Sequence, residues 1–188
     1  MTCRVDGLTG RLREARQSPS PNFDARPAGM RPELIVVHGI SLPPGRFGGP
    51  WIDRLFRNDL PPDAHPYFEQ IAGLRVSAHV LIRRRGGLVQ YVSFNDRAWH
   101  AGRSSYQGRP ACNDFSIGIE LEGSDDRPYA PAQYARLAAV IGSLCRAYPT
   151  LDAGRVVGHS DIAPGRKSDP GPVFDWPLLR SMLGVQAL

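Results

Sequence analysis

Short apolar runs rich in β-branched residues constrain the fold of this 188-residue chain more than any other feature. The runs ELIVVHGI, SIGIELEG and RVVGH are long enough for strands and short for helices, so each predicts a buried β-strand. In SIGIELEG the apolar residues at 117, 119 and 121 alternate with Gly118, Glu120 and Glu122. Because successive side chains of a strand point to opposite faces, Glu120 is expected to be a carboxylate on a core strand.

Helical patterns lie between and after these strands. From Pro131 to Tyr148 the apolar residues recur at i, i+3, i+4 and i+7, which predicts the longest amphipathic helix. Shorter helices are predicted in WIDRLFRNDL and in DWPLLRSML, the second with Asp175 as its N-cap. The segment RVSAHVLIRRRGGLVQYVSF predicts a hairpin, because Gly86 and Gly87 supply the positive φ of a tight turn.

These elements predict an α/β (α+β) fold, with a central mixed β-sheet flanked by helices in one domain over residues 1–188. The composition, 41% hydrophobic and 22% charged, is that of a globular protein. The 18 prolines and 20 glycines are spread along the chain and predict long surface loops. Functional sites are commonly built on such loops.

Charge and cysteine usage narrow the partners and the compartment. The net charge is +5, but the arginines are scattered apart from Arg83, Arg84 and Arg85, so we expect a small anionic substrate and no nucleic acid. Three widely spaced cysteines support neither a disulfide framework nor a cysteine metal site. The N-terminal MTCRVDGLTGRLREARQ is charged where a signal peptide is apolar, and no run of about 18 apolar residues occurs. We therefore expect a cytoplasmic protein with no membrane partner.

Two histidines and an aspartate form a candidate metal-binding set. His38 and His159 each end an apolar run beside a loop rich in proline and glycine, and Asp169 follows within the second loop. Catalytic zinc sites use three such ligands and leave a fourth position for water. The spacing alone is a weak signal, since a histidine at a strand end is more often structural.

The segments VVHGISLPPGRFGG, VSAHVLIRRRGGLVQYV, RAWHAG, NDFSIGIELEG and GHSDIAPGRKSDPGPVFDW resemble the AmpD-type N-acetylmuramoyl-L-alanine amidases, from about residue 5 to about residue 178. The resemblance implies the fold shared with phage amidases and peptidoglycan recognition proteins. It also implies Zn²⁺ held by His38, His159 and Asp169. The implied activity is hydrolysis of the amide between the lactyl group of 1,6-anhydro-N-acetylmuramic acid and L-alanine, during cytoplasmic recycling of the cell wall. In that family, loss of activity is tied to β-lactamase induction.

The resemblance also implies two catalytic residues. Glu120 would be the general base and later the general acid, and Lys167 would direct its ammonium group at the developing oxyanion. Glu120 has an alternative interpretation as an ordinary strand carboxylate, with Glu122 as its competitor for the catalytic role. Lys167 has an alternative interpretation as a solvated loop lysine.

Four further polar residues compete for roles around the metal. Asp161 is nearer to His159 in sequence than Asp169 is, but we interpret it as a turn residue or a support for the ligands. His79 and His100 are alternative ligands for which we favour structural hydrogen bonding or pocket roles. His65 is interpreted as a surface loop residue.

Substrate binding is predicted for Arg75, Trp99 and Arg109, because guanidinium groups bind peptide carboxylates in bidentate fashion and Trp99 offers an apolar wall. The sequence departs from the family pattern at Gly39, where asparagine is frequent, and at Ala111, where a basic residue is expected. We hypothesise that Arg109 compensates for Ala111. Arg75 and Trp99 also have alternative interpretations as a solvated arginine and a core residue.

Three functional hypotheses follow. The first is a monomeric zinc amidase that acts on anhydromuropeptides. The second is a binding module like the noncatalytic peptidoglycan recognition proteins, which the joint presence of the three candidate ligands disfavours. The third is an amidase of broader scope that also attacks intact cell wall, for which the expected compartment is unsuitable.

Overall fold

The computed structural model describes residues 2–185, whose backbone builds one six-stranded sheet, three small two-stranded sheets and five α-helices. The strands are β1 (Val5–Asp6), β2 (Arg11–Leu12), β3 (Arg16–Gln17), β4 (Phe23–Asp24), β5 (Leu34–Ile40), β6 (Val80–Ile82), β7 (Leu88–Gln90), β8 (Arg97–Ala98), β9 (Ser105–Tyr106), β10 (Arg109–Pro110), β11 (Ser116–Glu122) and β12 (Val156–Gly158). The helices are α1 (Trp51–Phe56), α2 (Pro66–Ile71), α3 (Pro131–Ala147), α4 (His159–Ile162) and α5 (Trp176–Leu183), with 3-10 turns at Pro62–Ala64 and Cys112–Asp114.

The central sheet has the strand order β12-β5-β11-β6-β7-β3. Its neighbours are parallel except β6 and β7, which form the antiparallel hairpin. The predicted central mixed sheet flanked by helices is therefore confirmed. At the hairpin turn Gly86 has φ +79°, a conformation that residues with a Cβ seldom adopt.

Alternation along the strands gives the sheet two different faces. The apolar positions of β11, Ile117, Ile119 and Leu121, pack with Leu137 and Ile141 of α3 in the main core. The intervening positions of the same strand, including Glu120, face the other way and are also buried. One face of β11 is thus reserved for packing and the other for polar side chains.

Helices α1 and α2 cover part of the opposite face. Ile52 and Phe56 of α1 and Phe68 of α2 pack with Leu81, whose neighbours on β6 point into the main core instead. Within residues 2–185 no helix combines the length and the apolar character needed to cross a membrane.

Several local predictions are confirmed and three need correction. The Asp175 side chain accepts a hydrogen bond from the backbone N–H of Leu178 (2.8 Å), as expected of the N-cap of α5. His159 does not end a strand, because β12 stops at Gly158 and His159 is the first residue of α4. Helix α3 ends at Ala147, one residue before Tyr148. The predicted hairpin segment begins at Arg75, but four residues separate Arg75 from the first strand of the hairpin, since β6 begins only at Val80.

The parallel strands β12, β5 and β11 end at the same edge of the sheet. In the register of β5 with β11, His38 lies directly beside Glu120. His159 follows the last residue of β12, on the other side of β5. Ligand sites of open α/β sheets form outside the carboxyl ends of the strands, so this edge positions the candidate site.

Candidate active site

His38, His159 and Asp169 converge on one point. The Nδ1 atoms of the two histidines are 3.0 Å apart, and Asp169 Oδ2 lies 3.2 Å from the first and 3.1 Å from the second. One ligand atom from each residue falls within 4.8 Å of the others. The structure therefore brings together three residues that were separated by 121 and 10 positions in sequence.

The chemistry of this set fits a metal ion. The Nε2 atom of His159 lies 3.3 Å from the carbonyl oxygen of Ala101, which can only accept, and 3.5 Å from a guanidinium nitrogen of Arg166, which donates to that same carbonyl (2.6 Å). Because the acceptor is the closer partner and Arg166 is already engaged with it, we assign the ring proton to Nε2. The Nδ1 lone pair of His159 then faces another imidazole nitrogen and the carboxylate of Asp169. Such atoms repel one another unless a cation or a proton lies between them, and imidazole with carboxylate is a donor set typical of zinc. The three residues could hold a metal ion.

Backbone contacts hold Asp169 against the strands. Its carbonyl oxygen accepts from the N–H of Ser160 (3.0 Å), and its Oδ2 lies 3.4 Å from the backbone nitrogen of Gly39. The hydroxyl of Tyr129 donates to the carbonyl of Pro170 (2.9 Å), next to Asp169 in the chain. The loop after α4 is therefore fixed to the ends of β5 and β12.

Burial keeps the first histidine neutral. His38 is 1% exposed, and desolvation lowers its pKa to about 4 although the neighbouring Asp169 opposes the shift. Its other ring nitrogen, Nε2, lies 2.9 Å from Nδ1 of His100. A neutral imidazole is the form that binds metal ions.

Glu120 is a buried carboxyl group, and its Oε2 atom has no hydrogen-bond partner among residues 2–185. Desolvation raises its pKa well above the usual value, the charge of Asp169 adds to the rise, and Lys167 opposes it. An unpaired buried carboxylate is energetically unfavourable, and functional sites are where such groups are found. Its position and its free oxygen suit it to proton transfer.

Glu122, the competitor considered for the same role, is fully engaged elsewhere. Its carboxylate accepts from the guanidinium of Arg83 (2.9 Å) and from the backbone N–H groups of Gly48 (2.6 Å) and Arg84 (3.2 Å). These contacts tie the loop after β5 to the hairpin turn. Glu122 is therefore a structural anchor with no free oxygen comparable to that of Glu120.

A cavity of about 500 Å³ surrounds the cluster. Glu120, Lys167 and Asp169 line it together with the two histidines. One wall of this cavity is apolar and contains Leu55, Phe56, Tyr67, Ile71, Leu74, Val76 and Trp99. The site can thus receive a ligand that has both a polar reacting group and an apolar surface.

The structure separates the three predicted substrate contacts. Trp99 lines the cavity and donates from Nε1 to Asp24 (3.2 Å). Arg75 is exposed and is not part of the cavity lining, although its neighbours Leu74 and Val76 are. Arg109 lies outside this cavity, because its guanidinium pairs with Glu33 (2.8 Å) and stacks on Phe115 (3.9 Å). The hypothesis that Arg109 replaces a basic residue at Ala111 gains no support from this geometry.

The remaining polar residues that sequence singled out have structural contacts. Asp161 accepts from the N–H of Gly158 (2.7 Å) at the start of α4, as the turn interpretation expects. The Nδ1 atom of His65 accepts from the N–H of Tyr67 (3.1 Å), so His65 caps α2. His79 accepts from the N–H of Gly118 (3.0 Å), away from the metal set.

Sequence reasoning missed the residues that surround the candidate ligands. Ser116, Asn113 and the carbonyl of Ala101 carry no motif that marks them as part of a site. The backbone N–H groups of His100 and Ala101 both donate to Asn113 Oδ1 (3.1 and 2.8 Å). The only sequence signal was the position of His100 in RAWHAG, two residues before a glycine.

Comparisons with known proteins agree with the fold. The family model described as N-acetylmuramoyl-L-alanine amidase matches residues 28–172. The 1,6-anhydro-N-acetylmuramyl-L-alanine amidase AmpD of Salmonella typhimurium (strain SL1344) is 60% identical over 178 residues, which cover 95% of each chain. AmpD of Escherichia coli (strain K12) is 60% identical over 177 residues, covering 94% of this chain and 96% of the relative.

Solved structures extend the likeness to three dimensions. A crystal structure of a selenomethionine AmpD derivative has a TM-score of 0.91 at 60% identity and covers 97% of this chain and 99% of that chain. The amidase AmiD from E. coli, in complex with the substrate anhydro-N-acetylmuramic acid-L-Ala-D-γ-Glu-L-Lys, has a TM-score of 0.59 at 26% identity. That likeness covers 98% of this chain and 66% of the AmiD chain.

The fold, the cavity and the family match define an amide hydrolase. More particularly, the chain belongs to the N-acetylmuramoyl-L-alanine amidase family and is of the AmpD type.

Proposed function

We propose that the protein is a zinc-dependent amidase that acts on anhydromuropeptides during cytoplasmic recycling of the cell wall. It would cleave the amide between the lactyl group of 1,6-anhydro-N-acetylmuramic acid and L-alanine, and would work as one domain and as a monomer. The observation that carries the proposal is the convergence of His38, His159 and Asp169 in a cavity that also contains the unpaired oxygen of Glu120. The names of the relatives that match over nearly the whole chain supply the substrate class.

The three convergent residues would hold the zinc ion. Bound there, zinc would lower the pKa of water to roughly 7 and polarise the scissile carbonyl. The burial of His38 and His159 excludes bulk water from their rings and keeps the ligand atoms in fixed positions. Asp169 would supply the single carboxylate charge of the set.

Glu120 would move the protons of the reaction. Its carboxylate would accept a proton as water attacks the lactyl carbonyl, and would deliver that proton to the alanine nitrogen as the C–N bond breaks. The products are a lactyl carboxylic acid and a peptide with a free N-terminal amine. A raised carboxyl pKa suits this exchange, because the group must both accept and release a proton near neutral pH.

Lys167 would stabilise the negative charge that develops on the carbonyl oxygen. Its side chain lines the cavity, and its charge is close enough to influence the ionisation of Glu120. A cation placed where charge appears in the transition state lowers the barrier to amide cleavage. Trp99 and the other apolar side chains would form a wall for the sugar or peptide.

The test is incubation of the purified protein with anhydromuramyl-tripeptide before and after removal of metal with a chelator. We expect release of free tripeptide by the zinc-loaded protein and no release by the stripped protein until zinc is restored. Chromatography with mass spectrometry measures the peptide, and elemental analysis measures the zinc. Absence of release by zinc-loaded protein would rule the proposal out. Digestion of whole sacculi at a comparable rate would instead favour the broader amidase.

A further inference from the structure

We propose that His100 and Ser116 are positioning residues that fix the tautomer of His38, so that its Nδ1 lone pair points into the metal site. The inference rests on the proposed zinc site. Ser116 lies outside the lining of the cavity, whereas His100 is part of that lining and acts on the metal site through His38. It follows from deciding, one hydrogen bond at a time, which atom of each pair carries the proton. The chain of hydrogen bonds runs from the carbonyl of Cys112 to the Nδ1 atom of His38.

The first link sets the direction of the chain. Ser116 Oγ lies 2.5 Å from the carbonyl oxygen of Cys112 and 3.1 Å from Nε2 of His100. A carbonyl oxygen can only accept, so the single hydroxyl proton of Ser116 is donated to Cys112. The hydroxyl oxygen then has only lone pairs to offer His100. The proton of the His100 ring must therefore lie on Nε2.

The second hydrogen bond, between His100 and His38, determines which nitrogen of His38 carries the proton. With its proton on Nε2, neutral His100 has an accepting lone pair on Nδ1, which lies 2.9 Å from Nε2 of His38. The hydrogen bond between the rings is made only if His38 carries its proton on Nε2. Its Nδ1 atom, which faces His159 and Asp169, is then free of a proton.

Packing holds His100 in the orientation that this chain requires. A Cβ atom built on Gly118 would lie 2.4 Å from Cγ of the His100 ring, so a larger residue there would displace the ring. The backbone N–H of His100 is held by Asn113. His100 is buried, and the partners of its two ring nitrogens are a hydroxyl group and an imidazole, with no carboxylate to favour a charged ring.

In His159, the second proposed histidine ligand, a single hydrogen bond is enough to place the ring proton on Nε2. His159 Nε2 lies 3.3 Å from the carbonyl oxygen of Ala101, so a proton on Nε2 can be donated directly to it. Asn113 fixes the backbone at both His100 and Ala101. One segment, residues 100–116, therefore sets the tautomers of both histidines from backbone carbonyls. Groups that orient metal-bound histidines in this way typically contribute 10- to 100-fold, as a rough range, to metal affinity.

The direct test is nitrogen-15 NMR of the wild-type zinc-loaded protein. We expect the imidazole proton of His38 to be bonded to Nε2, the proton of His100 also to Nε2, and a coupling across the hydrogen bond between His38 Nε2 and His100 Nδ1. A proton bonded to Nδ1 of His100 would overturn the inference. This measurement needs no variant and is independent of turnover.

Two substitutions of His100 test the consequence for metal binding. In His100→Asn the side-chain amide oxygen can lie near the former Nδ1 position and accept a hydrogen bond from Nε2 of His38. His100→Leu offers no acceptor there. We expect the zinc dissociation constant to rise by about 10- to 100-fold in His100→Leu and by much less in His100→Asn. Equal affinities for the two variants would overturn the inference.

Ser116→Ala has a matched control in the same segment. Ser104 is also buried, and its hydroxyl contacts Gly102 and Cys112 without joining the chain to His38. We expect Ser116→Ala to weaken zinc binding and to place part of the His100 proton on Nδ1, whereas Ser104→Ala should do neither. If the wild type fails to bind zinc or to cleave muropeptide, the proposed function fails. If the wild type does both but the Ser116 and Ser104 variants behave alike, only the tautomer assignment fails.

Discussion

His38 and Glu120 are register partners on the adjacent parallel strands β5 and β11, so the ladder between these strands sets the spacing of a candidate ligand and a candidate base. Both side chains are buried on the same face of the sheet, opposite the face that packs on α3. The pairing also gives Glu120 a different environment from Glu122, two residues further along the strand. This difference can be tested directly.

Glu120→Gln should abolish most turnover while Glu122→Gln should not. Loss of the proton carrier should lower kcat by about 10²- to 10⁴-fold with the zinc content unchanged. Glu122→Gln removes a charge that Arg83 and two backbone N–H groups share, so it should lower the free energy of unfolding by about 1–3 kcal/mol. Kinetics with anhydromuramyl-tripeptide and urea unfolding measure the two effects. Near-normal kcat in Glu120→Gln would move the base role to another residue.

Lys167→Met should lower kcat and leave zinc binding intact. Removal of one group that stabilises an oxyanion typically costs about 10²- to 10³-fold in rate. Lys167→Arg, which keeps the positive charge, should retain more activity than the methionine variant. If both variants turn over substrate like the wild type, Lys167 is only a solvated residue at the rim of the cavity.

Asp169→Ala should lose zinc, whereas Asp161→Ala should keep it. Asp169 supplies the one carboxylate of the convergent set, while Asp161 accepts from the N–H of Gly158 at the start of α4. The Asp161 variant should therefore lose only about 0.5–2 kcal/mol of stability. Elemental analysis after gel filtration measures the metal. Full zinc content in Asp169→Ala would contradict the assignment of this ligand.

His79 should make the protein less stable at acidic pH. Its Nδ1 accepts from the N–H of Gly118, and Nε2 lies 3.1 Å from the carbonyl of Asp96, so the folded protein holds a neutral ring. Desolvation, with the positive charge of Arg26 adding to it, lowers the pKa of His79 from 6.5 to about 3. The unfolded chain therefore binds one more proton between these values. The contribution of the neutral His79 ring to the free energy of unfolding is complete above pH 6.5. It decreases by roughly 1.4 kcal/mol per pH unit as the pH falls towards 3.

The measurement for His79 is twofold. NMR of the zinc-loaded protein should show no titration of His79 between pH 8 and about pH 5. Urea unfolding of His79→Gln should depend on pH less steeply than that of the wild type, by about one proton. Titration of His79 with a midpoint near 6.5 would contradict the neutral, buried assignment.

Much of the fold could be predicted because local patterns decide it. Alternation in SIGIELEG, the turn glycines and the cap at Asp175 each act over a few residues. The structure confirms the alternation, the cap and the positive φ of Gly86, whereas Gly87 does not have a positive φ. The order of the strands could not be predicted in this way. The sequence contains no local signal that β5 lies between β12 and β11, and this placement is what brings His38 beside both His159 and Glu120.

The candidate site was predictable only where resemblance supplied the residues. Spacing gave weak support to the three candidate ligands, and it gave no sign that Arg109 is held by Glu33 and Phe115. Helix α4 starts at His159, where the Asp161 side chain accepts from the backbone N–H of Gly158. The apolar run RVVGH predicted a strand through His159 instead. The role of Ser116 depends on which neighbour takes its hydroxyl proton, and only three-dimensional proximity to Cys112 decides that.

The shared register of β5 and β11 links assembly of the sheet to the competence of the site. A slip of one residue between these strands would turn one set of side chains to the opposite face and separate His38 from Glu120. Where β5 is the strand that slips, His38 would also turn away from His159 and Asp169, so the mispaired molecule would lack the proposed metal site. The zinc bound per chain after refolding would then report the fraction of molecules in which β5 has reached its native register.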